Sequence, residues 1–263
     1  MTRPAWLVQL RWRAAHWGWQ AVQRAGVVTA DTPAGRRFAA FGRGSMAAFP
    51  PGSVFGEGSI AIGADTLIGA LVTLSAGMVP GQDLGPQPVL RIGDRCVIGR
   101  GSHIVAHQSL VIEDDVFTGP YVYITDQNHG YADPDVPIGR QLPCNAPVQI
   151  GQGSWLGAGA VVLPGACIGR NVVIAAGSVV RGTVPDQCVA AGVPARVVRR
   201  YQPGAGWSAS PTPDRPAVPA VPAVPAVPAV PDRPAVPDYL ASALRASVAE
   251  RVDGIPQLPD PLR

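Results

Sequence analysis

Through the middle of the chain, aliphatic residues recur at every sixth position. From Ile150 the series continues at Leu156, Val162, Ile168, Ile174 and Val180, with glycine directly after three of them, at Gly151, Gly157 and Gly169. Four residues beyond each aliphatic stands a small or β-branched residue: Ser154, Ala160, Ala166, Val172, Ser178 and Val184. The same frame holds at Ile62, Ile68 and Leu74 and at Ile92, Ile98 and Ile104, and resumes after a two-residue slip at Ile112, Thr118 and Ile124. A period of six is neither helical nor a simple alternation, so the chain must bend once per repeat. Glycine after the aliphatic suits a corner whose backbone needs room. Three such sides close a coil, and coils stacked at about 4.8 Å make a parallel β-helix with the aliphatics inside. Periodicity does not reveal its hand.

Two segments break the frame. Residues 79–89 (VPGQDLGPQPV) interrupt it briefly, and residues 126–147 form a polar, proline-rich insert between two clean runs. Inserts on a solenoid are its usual functional loops. Before the repeats, residues 1–50 are read as a lead-in containing one amphipathic helix over Pro4 to Ala25. It has a first-turn proline, Trp6, Leu10 and Trp17 near one face, and several arginines. Such a helix packs on its own domain or on a sister subunit, or lies on a membrane surface as an interfacial anchor. The β-helix domain is assigned to residues 51–202. Residues 203–237 carry a Pro-Ala-Val repeat matching extended polyproline II, and 238–263 a short helix and tail.

Composition narrows the class. The 263 residues are 47% hydrophobic and 15% charged, enough for one sizeable core with appendages. No apolar run reaches the roughly 18 residues of a membrane span, and the N-terminus lacks the clean apolar stretch of a secretory signal. A cytoplasmic setting, free or peripheral to the membrane, is the expectation. The net charge of +3 comes without a dense basic block in the body, which argues against a nucleic-acid partner. Cys96, Cys144, Cys167 and Cys188 are far apart with no C-x-x-C pair, and are expected to be reduced, buried and structural.

Candidate chemistry concentrates where the coil leaves its frame. His129, in the run Ile124 to Tyr131 (ITDQNHGY), has Asp126, Asn128 and Tyr131 beside it, the neighbours a general base needs. Asp126 and Asn128 are equally suited to binding acceptor hydroxyls, orienting the imidazole, or simply shaping a turn. His107, in the eight-residue coil, is either a second groove-lining imidazole or a surface histidine. His103, His107 and His129 together are also the right ligand number for a catalytic zinc, although the close pair comes first in the chain.

The run SWLGAGAVVLPGACIGRNVVIAAGSVV (154–180), followed by VPDQCVAAGVPARVVRR (184–200) and preceded by an insert containing NHGY, resembles the hexapeptide-repeat acetyltransferases. It looks most like the maltose, galactoside and polysaccharide O-acetyltransferase group, over about residues 55–201. The resemblance implies an all-β fold, a left-handed parallel β-helix, to which the residues outside it add an N-terminal helix and a largely disordered proline-rich tail. It implies a homotrimer with active sites between subunits, acetyl-CoA as donor, no metal, and a sugar or lipid-linked sugar hydroxyl as acceptor. His129 would be the base, with Asp126, Asn128, Tyr131 and His107 around the acceptor. Trp155, Ala158, Ala176, Arg181, Arg196 and Arg199 would meet the coenzyme, the two alanines through their backbone. Arg181-Gly182 stands where the family commonly has a Thr-Lys pair, so Arg181 is assigned the cationic role. The alternatives are amino-sugar N-acylation by the same machinery, zinc hydration like that of the β-helical carbonic anhydrases, and a trimeric scaffold displaying its two arms.

Overall fold

The computed structural model describes residues 5–79 and 81–209. The expected polyproline segment and terminal helix beyond residue 209 lie outside them. The body is a parallel β-helix of three flat faces, each a ladder of two- to five-residue strands stacked one coil above another. The first face stacks Ala40–Phe41, Ile60–Ile62, Leu90–Ile92, Leu110–Ile112, Val148–Ile150, Cys167–Ile168 and Thr183–Val184. The second stacks Met46–Ala47, Leu67–Ile68, Val97–Ile98, Phe117–Thr118, Trp155–Leu156, Val173–Ile174 and Cys188–Gly192. The third stacks Val54–Phe55, Thr73–Ala76, His103–Ala106, Tyr123–Thr125, Val161–Val162 and Val179–Val180. The chain visits the faces in the order first, second, third, then steps to the next coil.

The six-residue frame is the core. Ile62, Ile68, Leu74, Ile92, Ile98, Ile104, Ile112, Ile124, Ile150, Leu156, Val162, Ile168, Ile174 and Val180 are all buried, and so is Thr118 in the same frame. Equivalent residues of successive coils pair in exact register, as in Ile92, Ile112, Ile150 and Ile168 on the first face. The positions four further on, Ser154, Ala160, Ala166, Val172, Ser178 and Val184, are buried beside the corners. There Ser154 Oγ donates to Gly169 O at 2.9 Å and accepts from Val172 N at 3.1 Å, so a hydroxyl replaces a missing strand bond between coils.

Two separate constraints shape the corner after Ile150. Immediately after the aliphatic, the backbone passes so close to the next coil that a Cβ on Gly151 would lie 2.6 Å from the Gly169 carbonyl carbon. Two residues later the chain enters the left-handed region, at Gly153 in one coil and at Asp115 in the coil before it, with φ near 71° and 59°. The corner at residues 151–153 therefore turns on a glycine required for space and on a following residue that tolerates positive φ, whereas the coil before it keeps the positive φ with Glu113 at the first position.

The fold extends past both boundaries read from sequence. Its first coil begins near residue 40, because Ala40–Phe41 pairs with Ala61–Ile62 and Met46–Ala47 with Leu67–Ile68. At the other end, residues 203–209 continue the second face as a hairpin instead of opening a linker. Ala195–Gln202 turns back on Cys188–Gly192, and Gly206–Ala209 pairs in turn with Arg199–Gln202. The Tyr201 and Trp207 rings meet edge-on across this pair, 5.6 Å between centroids. Ahead of the coils runs α1 (Ala5–Ala25). Cys96 and Cys188 are buried as expected, whereas Cys144 and Cys167 are exposed; none of the four is joined in a disulfide. Cys167 is exposed because it holds the outward position of its strand, with Ile168 inward.

Candidate active site

All the irregular segments gather at one edge of the prism, between the third and first faces. Residues 77–79 and 81–89 leave the coil after Thr73–Ala76, residues 107–109 after His103–Ala106, and the insert after Tyr123–Thr125. The insert closes on itself at its base, where Gln127–Asn128 pairs antiparallel with Cys144–Asn145. Gln141 organises its interior by donating to Asp133 O and Val136 O, both at 2.8 Å, and accepting from Asp133 N at 3.1 Å. His129 follows directly from this two-stranded base and is exposed. The next residue, Gly130, lies so close to Leu142 O that no Cβ would fit.

Asp126 does not line the loop surface. It is fully buried, and its carboxylate accepts three backbone N–H groups: His107 at 2.7 Å, Gln108 at 2.8 Å and Ser109 at 2.7 Å. Its own carbonyl accepts from Ala146 N at 2.8 Å. The expectation that Asp126 meets acceptor hydroxyls is therefore corrected. Both oxygens are committed to holding the 107–109 loop against the base of the insert. Asn128 likewise serves its own turn, accepting from His129 N at 3.0 Å. Tyr131 points to solvent, 73% exposed.

His107 is the neighbour of His129 in space. Burial pushes its imidazole below the usual histidine value; the Asp126 carboxylate opposes that shift and the adjacent His129 adds to it. Its Nδ1 is buried and finds no hydrogen-bond partner. A neutral, half-buried imidazole with one unsatisfied nitrogen thus stands beside the exposed one. His103 occupies the far end of its four-residue strand, outward-facing. Among the described residues, no three His, Cys, Asp or Glu side chains are grouped closely enough to hold a metal ion.

The residues expected to meet a coenzyme divide between two edges. Trp155 faces outward on the second face, in register with Phe117 in the coil before and Val173 in the coil after, and Phe117 and Trp155 are both exposed. This outward apolar row, which includes Leu67 and Val97 further along, was not legible at Phe117 or Leu67 individually. Its signal is the position directly before each core aliphatic. Ala158 and Ala176 stack at the edge between second and third faces, where Gly177 N donates to Ala158 O at 2.9 Å. Among the described bonds, neither alanine's N–H has an acceptor. Arg196 and Arg199 sit on the returning strand of the second face, Arg196 donating to Ala195 O at 2.9 Å. Arg181 instead lies between Val179–Val180 and Thr183–Val184, on the same edge as His129.

The third face therefore separates His129 and Arg181 from Trp155, Ala158 and Ala176 within one chain. A groove of about 530 Å³ on the first face, lined by Arg91, Glu113 and Gln152 among others, opens near the remaining edge. On that edge Arg95 bridges Asp115 at 2.7 Å and Asp114 at 3.3 Å, and this contact holds the Asp115 carboxyl down at about 2.

Residues 147–182 match the family described as bacterial transferase hexapeptide, six repeats. The chain carries that repeat. Its fold is the left-handed parallel β-helix. Over 121 residues it is 40% identical to a probable acetyltransferase, Rv3034c, of Mycobacterium tuberculosis, covering 46% of this chain and 40% of that one. Over 120 residues it is 38% identical to the putative lipopolysaccharide biosynthesis O-acetyl transferase WbbJ of Escherichia coli K12, covering 43% and 61%. The galactoside O-acetyltransferase of the same organism is 34% identical over 125 residues, covering 43% and 58%. The chain thus spans between two fifths and three fifths of the length of these relatives. In fold it is similar to AntD, an N-acyltransferase of Bacillus cereus solved with dTDP and coenzyme A. The TM-score is 0.53 and the identity 18%, over 63% of this chain and 85% of that one.

Proposed function

We propose that this chain is an acetyl-CoA-dependent O-acyltransferase that moves an acetyl group to a hydroxyl of a sugar or glycan precursor, and that it works as a homotrimer in the cytoplasm. Similarity to galactoside and lipopolysaccharide O-acetyltransferases supports the reaction class. The observation that carries the reading is the division of the site. One edge bears His129 beside His107, the other bears two unsatisfied amides, and a face of the prism lies between them.

Two edges of one prism cannot meet, but edges of neighbouring prisms can. In a trimer the His129 edge of one subunit would face the Ala158 and Ala176 edge of the next. The outward row of Phe117, Trp155 and Val173 would lie along the intervening groove. The free N–H groups of Ala158 and Ala176 suit the amide-rich arm of coenzyme A, one of them also serving the oxyanion that forms on the thioester carbonyl. Arg196 and Arg199, further along the same face, suit the phosphates. Arg181 would approach from the neighbour's edge.

In this arrangement His129 takes the proton from the acceptor hydroxyl as its oxygen attacks the thioester carbonyl, then returns it to the departing thiolate. His107, half-buried beside His129, borders the acceptor space with the exposed part of its ring, while its enclosed Nδ1 faces away from the groove's solvent. Asn128 and Tyr131 border the acceptor space, while Asp126 acts through the loop it holds.

The test is thiol release from acetyl-CoA with a panel of galactosides, maltose, amino sugars and lipid-linked sugars, followed by identification of the product. The expected result is an O-acetyl ester on one sugar class. Product only on amino sugars would move the acceptor to an amine. No turnover on any acceptor, together with no binding of coenzyme A, would overturn the reading.

A further inference from the structure

α1 is a 21-residue helix that its own domain hardly covers. Trp6, Trp12, Trp17 and Trp19 are 63%, 61%, 74% and 51% exposed, and Val8, Leu10 and Val22 are exposed with them. The helix is tethered at its C-terminal end, where Trp19 meets Phe49 with ring centroids 6.5 Å apart. Packing on its own β-helix, one reading of the sequence, does not account for this surface.

The distribution around the axis is specific. Gln9, Arg13, His16, Gln20 and Gln23 follow one another at three- and four-residue steps and form a single polar stripe. Trp6, Leu10 and Trp17 border it on one side, and Val8, Trp12 and Trp19 on the other. Between these borders, opposite the stripe, lie Leu7, Ala14, Ala15, Ala21 and Val22, with Gly18 and Arg11 at the centre of the arc. Tryptophan at both margins of a polar stripe places an apolar ring and an N–H donor at the same depth, the position such rings take at a lipid headgroup boundary.

Charge selects the kind of surface. The helix has Arg11, Arg13 and Arg24 and no acidic residue. Two copies of α1 would bring like charges together, and the broad apolar arc is unlike the narrow seam by which helices pair. An anionic lipid surface complements it, and Arg11 can extend its guanidinium to the headgroups past the apolar arc. The helix is not apolar enough to cross a membrane.

We infer that α1 is an interfacial helix that lies in the plane of an anionic membrane surface and docks this protein there. At about 1.5 Å per residue it would occupy about 30 Å of the headgroup boundary. The inference is independent of the acyl-transfer reading, because nothing in α1 belongs to the site.

The test is flotation of the full chain with phosphatidylcholine vesicles, with and without phosphatidylglycerol. Binding is expected to the anionic vesicles and to weaken with salt. A W6A/W12A/W17A variant, which leaves the Trp19 contact with Phe49 in place, should lose roughly tenfold or more of this partitioning, and R11Q/R13Q/R24Q should lose its preference for phosphatidylglycerol. Both variants should keep the thermal transition of the parent and its thiol release on a soluble acceptor. No binding to anionic vesicles would overturn the inference. So would binding that survives the tryptophan substitutions, or a tryptophan variant whose main defect is a change of oligomeric state by light scattering. The last outcome assigns α1 to a second copy of the chain.

Discussion

The carboxylate of Asp126 accepts the backbone N–H of His107 at 2.7 Å, and its partners at Gln108 and Ser109 complete a three-pronged anchor. This bond joins the loop of one coil to the first residue of the insert in the next. It thereby sets the two histidines of the candidate site beside each other. Removing the carboxylate leaves three amides without their acceptor at a buried position. Asp126→Ala should cost roughly 2–4 kcal/mol in urea unfolding. Asp126→Asn should recover part of the stability, since one carbonyl oxygen still accepts. A variant as stable as the parent would mean that other groups hold the loop.

His107 makes stability depend on pH. Its folded-state value is depressed by burial, so the unfolded chain takes up this proton first as the solution is acidified. The contribution is present above the ordinary value of about 6.5 and is lost as pH falls from there toward the folded-state value. Thermal scans at about pH 7.5 and about pH 5 should show a smaller acid loss for His107→Asn than for the parent.

His129 is the proposed base, and His129→Ala should lower kcat by roughly 100-fold or more. Coenzyme A binding, measured by calorimetry, should stay near the parent value because the amides at Ala158 and Ala176 are untouched. Parent-like turnover in a purified, correctly assembled variant would remove the mechanism.

If each site is shared between subunits, two inactive variants should repair one another. His129→Ala disables one edge, and Ala176→Trp fills the other at an exposed corner. Subunits mixed after co-expression should regain a measurable fraction of activity, since some interfaces then pair two intact edges. Mixtures as inactive as either variant, in assemblies shown to be mixed, would restrict the site to one chain.

The coil geometry can be tested without reference to activity. A Cβ on Gly151 would fall 2.6 Å from the Gly169 backbone, while one on Gly58 meets nothing within 4 Å. Gly151→Ala should therefore destabilise by about 1–3 kcal/mol, and Gly58→Ala should be close to neutral. Equal effects in chemical unfolding would show that the corner relaxes around the added carbon.

The six-residue frame determined the prism from sequence alone. A residue such as Ile150 or Leu156 repeats because the interior of each coil is filled by the next, so pattern and packing are the same information. That His129 stands where this frame is interrupted was legible too. The role of Asp126 was not. A carboxylate beside a histidine reads as site chemistry until the tertiary structure shows both its oxygens taken by amides from the preceding coil. Nor could the chain order reveal that residues 77–79 and 81–89, residues 107–109 and the insert share one edge, or that His107 stands next to His129. It also left open whether α1 packs on its own domain. These depend on which side of a three-sided coil each residue reaches, and on which polar atoms find partners there. Local spacing fixes neither, because the partners come from coils about twenty residues apart.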